Sequence, residues 1–350
     1  MTILVTGGAG FIGSNFILDW FEQGPEPVLN IDKLTYAGNL QNLATVSARK
    51  QYFFFRIGIE ETNKIRRLLG AHNVRAIINF AAESHVDRSI AGPEAFFQTN
   101  VIGTLKLLEA AREYWTSGEA PKDFRFLQVS TDEVYGSLQP DEPGFRETDA
   151  FEPNSPYAAS KAGSDHIVRA YGETYGLPVL ITHCSNNYGP FQFPEKLIPL
   201  VILNALGGKP LPLYGDGQQV RDWLYVSDHC DALNRVLSDG QPGETYNIGG
   251  NSERNNLTVV HTICVILDEL RPLASGKSYA EQIAFVRDRP GHDRRYAIDA
   301  SKLARTLQWS PRTSFEGGIR RTVEWYLANP AWTTSVTSGE YREWVARQYA

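Results

Sequence analysis

The chain is poor in cysteine, and the few it has are not spaced to pair. Cys184, Cys230 and Cys264 are the only three in 350 residues. They read as buried thiols, which sets aside a disulfide-stapled secreted scaffold and a CxxC site. The seven histidines form no HxxxH or HExxH pattern, so no metal centre is expected. Positive charge is short as well. A net charge of −6 argues against a nucleic-acid partner, although local cations can still hold phosphates. The longest apolar run, residues 197–206, contains Pro199 and Asn204 and is too short to span a bilayer, so no membrane partner is expected. A strand and a glycine turn begin within seven residues of Met1. No signal peptide is expected ahead of them, and a cytoplasmic location is the default. No internal repeat or low-complexity tract is visible.

What is present is a globular composition, 42% apolar, enough for one large domain or two joined ones. Residues 2–6 read as a short apolar strand. It runs directly into Gly7-Gly8-Ala9-Gly10-Phe11-Ile12-Gly13, which fits G-x-G-x-x-G. The glycines allow a tight turn and close approach of a pyrophosphate, and a helix over residues 11–21 offers its N–H groups to the phosphates. A second strand, residues 28–31, ends at Asp32, 19 residues after Gly13. An acid at this spacing binds the ribose hydroxyls and repels a 2′-phosphate, so NAD is favoured over NADP. Lys33, next to it, is the one residue that pulls the other way.

Strand and helix patterns alternate through the first half. Strands are expected at 52–57, 76–80, 124–130 and 178–182, and helices at 60–69, 93–115 and 155–175. This predicts a Rossmann-type α/β fold, a doubly wound parallel sheet with functional residues at the strands' carboxyl ends. After Asn187 the pattern loosens, with helices at 196–206, 258–270 and 315–328. The expected division is an NAD-binding domain over 1–185, with returns to the sheet near 222–250 (residues 223–226 and 245–248). Residues 186–221 and 251–350 then form a smaller C-terminal substrate lobe.

The chemistry concentrates in two runs. Ser130-Thr131-Asp132-Glu133-Val134-Tyr135-Gly136 ends a strand, and Tyr157-Ala158-Ala159-Ser160-Lys161 opens a helix. A tyrosine and a lysine four residues apart share a helix face. There the ammonium can lower the tyrosine pKa and make a base for a sugar hydroxyl. An adjacent acid and carboxylate add the means of removing water. Together they indicate oxidation followed by dehydration at one site.

With these pieces in place, the chain resembles the extended short-chain dehydrogenase/reductases, and among them the dTDP-glucose 4,6-dehydratase family. The resemblance covers about residues 2–330. It rests also on Ala81-Ala82-Glu83-Ser84-His85-Val86-Asp87-Arg88-Ser89, Cys184-Ser185-Asn186-Asn187-Tyr188-Gly189-Pro190 and Phe193-Pro194-Glu195-Lys196-Leu197-Ile198-Pro199. Val220-Arg221-Asp222-Trp223-Leu224-Tyr225-Val226 and Asp288-Arg289-Pro290-Gly291-His292-Asp293-Arg294-Arg295 complete it.

The resemblance implies that Tyr157, with Lys161 and Thr131, takes the C4 hydroxyl proton while hydride leaves C4. Glu133 then removes the C5 proton, Asp132 protonates the departing C6 hydroxyl, and hydride returns to C6. It places Gly7, Gly10, Phe11, Ile12 and Gly13 along NAD, then Asp32, Lys33, Leu34 and Thr35. Gly58 and Ile59 follow, and then Phe80, Ala81, Ala82, Ser84, Thr99 and Asn187, with Tyr157 and Lys161. Ser84, Asp87 and Thr131 fall near the sugar. Asn186, Lys196, Leu197, Pro212, Leu213 and Tyr214 surround the nucleoside diphosphate, joined by Arg221, Asn256, Asp288 and His292.

Blander roles remain open for single residues. Asp222 can pair with Arg221, Asp288 with Arg289, and His85 can be a core histidine held by backbone. A homodimer is implied through residues 94–114 and the helix carrying Tyr157, with Leu105 and Leu108 facing either the partner or the core. Where the family has Gly-Asp-Ile, this chain has Ile57-Gly58-Ile59. One adenine hydrogen bond, of about 1 kcal/mol, is expected to be lost. Residues from 329 onward, with Trp332, Tyr341 and Trp344, fall outside the match and can dock as a terminal helix. The residues leave open a UDP-, CDP- or GDP-linked sugar, a 4-epimerase, which does not need the Asp132-Glu133 pair, and a non-catalytic NAD-dependent sensor.

Overall fold

Six runs rich in β-branched and aromatic residues become parallel strands because helices cover both of their faces. They are β1 (Thr2–Thr6), β2 (Val28–Ile31), β3 (Tyr52–Phe55), β4 (Val74–Asn79), β5 (Arg125–Thr131) and β6 (Val179–Cys184). Six further strands follow: β7 (Asn186–Tyr188), β8 (Leu211–Tyr214), β9 (Val220–Tyr225), β10 (Thr245–Ile248), β11 (Glu253–Asn255) and β12 (Ile283–Val286). The computed structural model describes residues 1–337. The main sheet has seven strands in the order β10-β6-β5-β4-β1-β2-β3, with every pairing parallel. The order reverses between β1 and β4, and that reversal opens a crevice at the carboxyl ends, where such sheets bind ligands. This is the doubly wound fold the sequence predicts.

Two helices matter most for the site. The helix Pro156–Tyr175 starts at Ser155, whose side chain accepts from the Ala158 N–H, with Pro156 in its first turn, and stops at left-handed Gly176. Cap, proline and terminal glycine together fix its frame, and so fix where Tyr157 and Lys161 point. The expected helix over 93–115 is a continuous helical run from Glu94 to Thr116, broken by a π turn at Phe97–Gly103. Such turns often mark functional positions, and this one carries Thr99.

One expected return to the main sheet does not occur. β10 joins it beside β6, but β9 pairs with β7 and β11 in a separate three-stranded sheet. The reason is the double life of 223–226. Leu224 and Val226 pack into the core around β1 and the helix Phe11–Gln23, while Trp223 and Tyr225 pack into the core of the second lobe. Alternation along a strand places one face in each core, so the run reads as a buried strand without belonging to the main sheet. The second lobe's core gathers the helices Leu197–Leu206, Asn256–Leu270 and Phe315–Ala328 around the parallel pair β8 and β12.

Trp332 docks as expected, buried on the helix Pro330–Val336 with its indole N–H donating to Asn42 Oδ1 at 2.7 Å. Tyr341 and Trp344 lie outside the described residues. Among the described residues no helix is long and apolar enough to cross a membrane.

Candidate active site

At the carboxyl ends of β1, β2, β4, β5 and β6 lies a cavity of about 560 Å³. Its floor is the glycine turn. Gly7 has φ +65°, and a Cβ there would stand 2.8 Å from the Ala81 nitrogen. A Cβ on Gly13 would stand 2.5 Å from the Gly7 carbonyl oxygen. No side chain fits either place because backbone already fills it, so the glycines let the turn pack tightly against the end of β4 and against the start of the helix. The helix Phe11–Gln23 begins at Gly10 with no side-chain cap and no acid in its first turn, so its leading N–H groups suit a pyrophosphate. Asp32 accepts from the Ala9 N–H at 2.9 Å and the Leu34 N–H at 2.7 Å, which fixes its carboxylate where it lines the cavity. The donor set fits a dinucleotide.

The other wall carries the reactive side chains. Thr131 ends β5, and its hydroxyl caps the short turn Asp132–Tyr135 by accepting from the Glu133 N–H at 3.3 Å. Behind that turn, Ser130 donates to Asp165 at 2.6 Å and the Tyr135 hydroxyl lies 2.8 Å from His183 Nδ1, a buried network that stiffens the strand end.

Asp132 is 2% exposed, and its Oδ2 has no hydrogen-bond partner among the described residues. Burial first, then the charges of Glu133 and Asp222, hold its pKa well above the usual carboxylate range. Burial also raises Glu133, but the cations of Lys196, Arg289 and Arg221 oppose it. The two carboxyl groups are therefore driven apart, with Asp132 keeping its proton after Glu133 has ionised.

Tyr157 and Lys161 both line the cavity, but the expected lowering of the tyrosine is corrected here. Burial, then the charge of Glu133, holds the Tyr157 hydroxyl well above its ordinary pKa, and the opposing influence is a hydrogen bond with Thr131. The Lys161 ammonium donates to the Val129 carbonyl at 2.8 Å, and burial lowers its pKa. Four residues of spacing put the pair on one face, but burial dominates at Tyr157 and the lysine's ammonium is engaged by the Val129 carbonyl.

Beside the cavity, Asp87 from the first domain meets a polar cluster from the second lobe. Asp87 accepts from Arg289 at 2.7 Å and from the Tyr214 hydroxyl at 3.0 Å. The Tyr214 ring meets His292 edge-on at 5.8 Å, and His292 Nδ1 lies 2.5 Å from Asp288. Arg221 is buried, donates to the Val220 and Asp293 carbonyls and covers the Tyr296 ring at 4.2 Å.

A family model described as GDP-mannose 4,6 dehydratase matches residues 4–322. The dTDP-glucose 4,6-dehydratase of Salmonella typhimurium is 57% identical, over 100% of this chain and 99% of its own length. That of Xanthomonas campestris pv. campestris is 60% identical over 97% of each. The chain belongs to the dTDP-glucose 4,6-dehydratase family. A solved dTDP-glucose 4,6-dehydratase from Streptomyces venezuelae, with NAD bound, superposes with a TM-score of 0.87 at 47% identity, covering 96% of this chain and 100% of that one.

In this dTDP-glucose 4,6-dehydratase family member, the five residues marked as catalytic all line one cavity, as do all those expected along NAD except Leu34. Leu34 contributes through its backbone N–H to Asp32 instead. Ser84, Asn186 and Lys196 line it too. Asp87, Tyr214, Asp288 and His292 form the adjoining cluster, outside the cavity lining. Leu213 is buried in the second lobe's core, Leu197 and Pro212 are half-buried beside it, and the Asn256 N–H donates to the Gln219 carbonyl.

The blander alternatives divide. His85 is a core histidine whose Nε2 lies 3.2 Å from the Glu195 carbonyl, with burial pushing its pKa down to about 3. Asp222 takes the Gly250 and Ser252 N–H groups rather than Arg221. The Arg289 guanidinium reaches Asp87, and Asp288 takes only its backbone N–H. Sequence reasoning missed Glu195, a buried carboxylate that binds Arg88 at 3.1 Å and the Tyr36 hydroxyl at 2.9 Å. It also missed Cys184, whose thiol burial pushes up to about 12 beside Lys161.

Proposed function

We propose that the protein converts dTDP-glucose to dTDP-4-keto-6-deoxy-glucose with NAD held in the cavity. The observation that carries this is the Asp132–Glu133 pair, with its divided environments, on the same cavity as Tyr157 and Lys161. A 4-epimerase has no use for two carboxyl groups of opposite proton preference at that strand end.

Gly7, Gly10 and Gly13 would take the pyrophosphate and Asp32 the ribose. When bound, NAD supplies the acceptor for hydride from C4 and the donor of hydride to C6. Tyr157 takes the C4 hydroxyl proton, and Thr131 orients it. Lys161 lies on the same wall to stabilise the phenolate. Once C4 is a ketone the C5 hydrogen is acidic, and Glu133, made more basic by burial while three cations favour its ionised form, removes it. Asp132, kept protonated by burial, protonates the C6 hydroxyl as it leaves. For Glu133 and Asp132, each transfer is a proton moved by a group whose environment suits that direction.

Residues 1–185, with β10, serve the cofactor, and the lobe from 186–221 and from 251 onward takes the nucleotide through Arg221, Tyr214 and their neighbours. Arg221 suits a diphosphate because its guanidinium stays charged when buried. We further propose a homodimer through the run Glu94–Thr116. Leu108 is fully buried within the chain, but Phe97 and Ile102 on that run are 42% and 41% exposed. Three free cysteines suit a reducing, cytoplasmic setting.

The test is incubation of the purified protein with dTDP-glucose, UDP-glucose and GDP-mannose in parallel, following a 4-keto-6-deoxy product. The proposal expects product from dTDP-glucose alone. Product from another sugar would reassign the nucleotide, and a 4-epimer would remove the dehydratase.

A further inference from the structure

The end of β3 is where the chain departs from its family, and the structure offers a replacement for what is missing there. This inference rests on reading the cavity as an NAD site. The sheet order fixes the direction of the dinucleotide. Its phosphates lie on the turn after β1, its ribose on Asp32 after β2, and Tyr157 stands on the far side, beyond β4. The adenine must then lie over the residues that follow β3, the strand beyond β2. Ile57, Gly58, Ile59 and Glu60 line the cavity there, with Lys33 opposite. The two isoleucines can flank a planar base.

Gly58 brings no side chain to this place. A Cβ built on it would collide with the Glu60 carboxylate, both of whose oxygens crowd the position. Glu60, two residues along, has folded its acid group back over Gly58 into the volume a side chain at 58 would fill. The Lys33 ammonium donates to Glu60 Oε1 at 2.8 Å. That contact steadies the carboxylate and engages the cation that would otherwise be free to attract a 2′-phosphate.

We infer that Glu60 is the residue that recognises the adenine of NAD, its carboxylate accepting from the exocyclic amino group. A carboxylate is an acceptor only. It therefore selects adenine, which presents donors at that position, and repels hypoxanthine, which presents a carbonyl. The hydrogen bond that the sequence lacks at Gly58 is relocated, not lost, and Glu60 sets the base specificity of the cofactor.

The test uses the purified full-length protein and reads bound dinucleotide rather than turnover. The protein is equilibrated with an equimolar excess of NAD and nicotinamide hypoxanthine dinucleotide and desalted, and the retained nucleotides are quantified by chromatography. Wild type should retain NAD over the hypoxanthine form by about 10-fold, in line with a charged hydrogen bond that is partly exposed. Glu60→Ala should bring the ratio to about 1 and lower total retention. Glu60→Gln should also bring it to about 1 while keeping total retention, because an amide can turn either its oxygen or its nitrogen to the base. Gly58→Asp combined with Glu60→Ala should restore the wild-type ratio, since the collision at 58 is then removed. A Glu60→Ala ratio equal to wild type would overturn the inference while leaving the NAD site standing. Wild type that retains neither dinucleotide would overturn both.

Discussion

Replacing Asp132 by Asn separates the two things its burial does. Asn keeps the shape and neutrality of a protonated carboxyl but has no proton to lose. Asp132 is 2% exposed, and its pKa is held well above the usual 3.8 by burial and by the charges of Glu133 and Asp222. The unfolded chain releases this proton near its ordinary pKa; the folded protein keeps it. Between those two values the folded state binds more protons than the unfolded state, so stability falls as pH rises. Each pH unit in that interval costs about 1.4 kcal/mol, or on the order of 2–3 °C in Tm for a chain of this size.

Asp132→Asn escapes this cost. Near pH 4 its Tm should lie at or slightly below wild type, because the amide brings a buried donor worth roughly 1–2 kcal/mol if unpaired. Toward neutral pH its Tm should climb relative to wild type. Catalysis should move the other way. Losing the general acid should lower kcat by about 10²–10⁴-fold, with KM nearly unchanged because shape and charge are kept. Calorimetric melts between about pH 4 and pH 8, paired with steady-state kinetics, measure both. A Tm difference that is flat with pH, or that shrinks toward neutrality, would mean Asp132 is ionised in the fold and would refute its role as the acid.

Other outcomes follow from the same geometry. Wild-type kcat should fall on the acid side as Glu133 is protonated, with a midpoint above the ordinary glutamate value of 4.5 because burial raises it. A pH–rate profile reads this directly. Tyr157→Phe should lower kcat by about 10²–10⁴-fold while leaving retained NAD intact on desalting. Gly13→Ala puts a Cβ 2.5 Å from the Gly7 carbonyl. It should cost about 1–3 kcal/mol in a denaturant titration and deplete retained NAD. Asp87→Ala strips the partner from Arg289, a pair whose side chains are 5% and 20% exposed. It should destabilise by about 2–4 kcal/mol in the same titration.

Much of the cofactor site was legible because its parts are close in sequence. Strand, glycine turn, helix and Asp32 occupy one βαβ unit, and their order alone fixes the geometry. Asp132 and Glu133 were legible because two acids at a strand end have few structural uses. What stayed hidden depends on the third dimension. Asp87 and Arg289 are 202 residues apart, and nothing local pairs them. The run 223–226 looks like any buried strand, and only the existence of two cores shows why it leaves the main sheet. The tyrosine pKa was misjudged because helical spacing says that Lys161 is near, not how dry the site is. At 58 the sequence shows only a missing carboxylate, and the backbone was needed to show Glu60 folded into its place.

The central claim is that one cavity moves hydride from C4 to C6 of the same sugar while Glu133 and Asp132 exchange protons around C5 and C6. The most direct test is turnover of dTDP-glucose carrying deuterium at C4, and separately of unlabelled sugar in D₂O, with the product read by mass spectrometry and NMR. The account predicts deuterium at C6 from the labelled sugar and solvent deuterium at C5. Label that stays at C4, or is lost to solvent with none reaching C6, would contradict it.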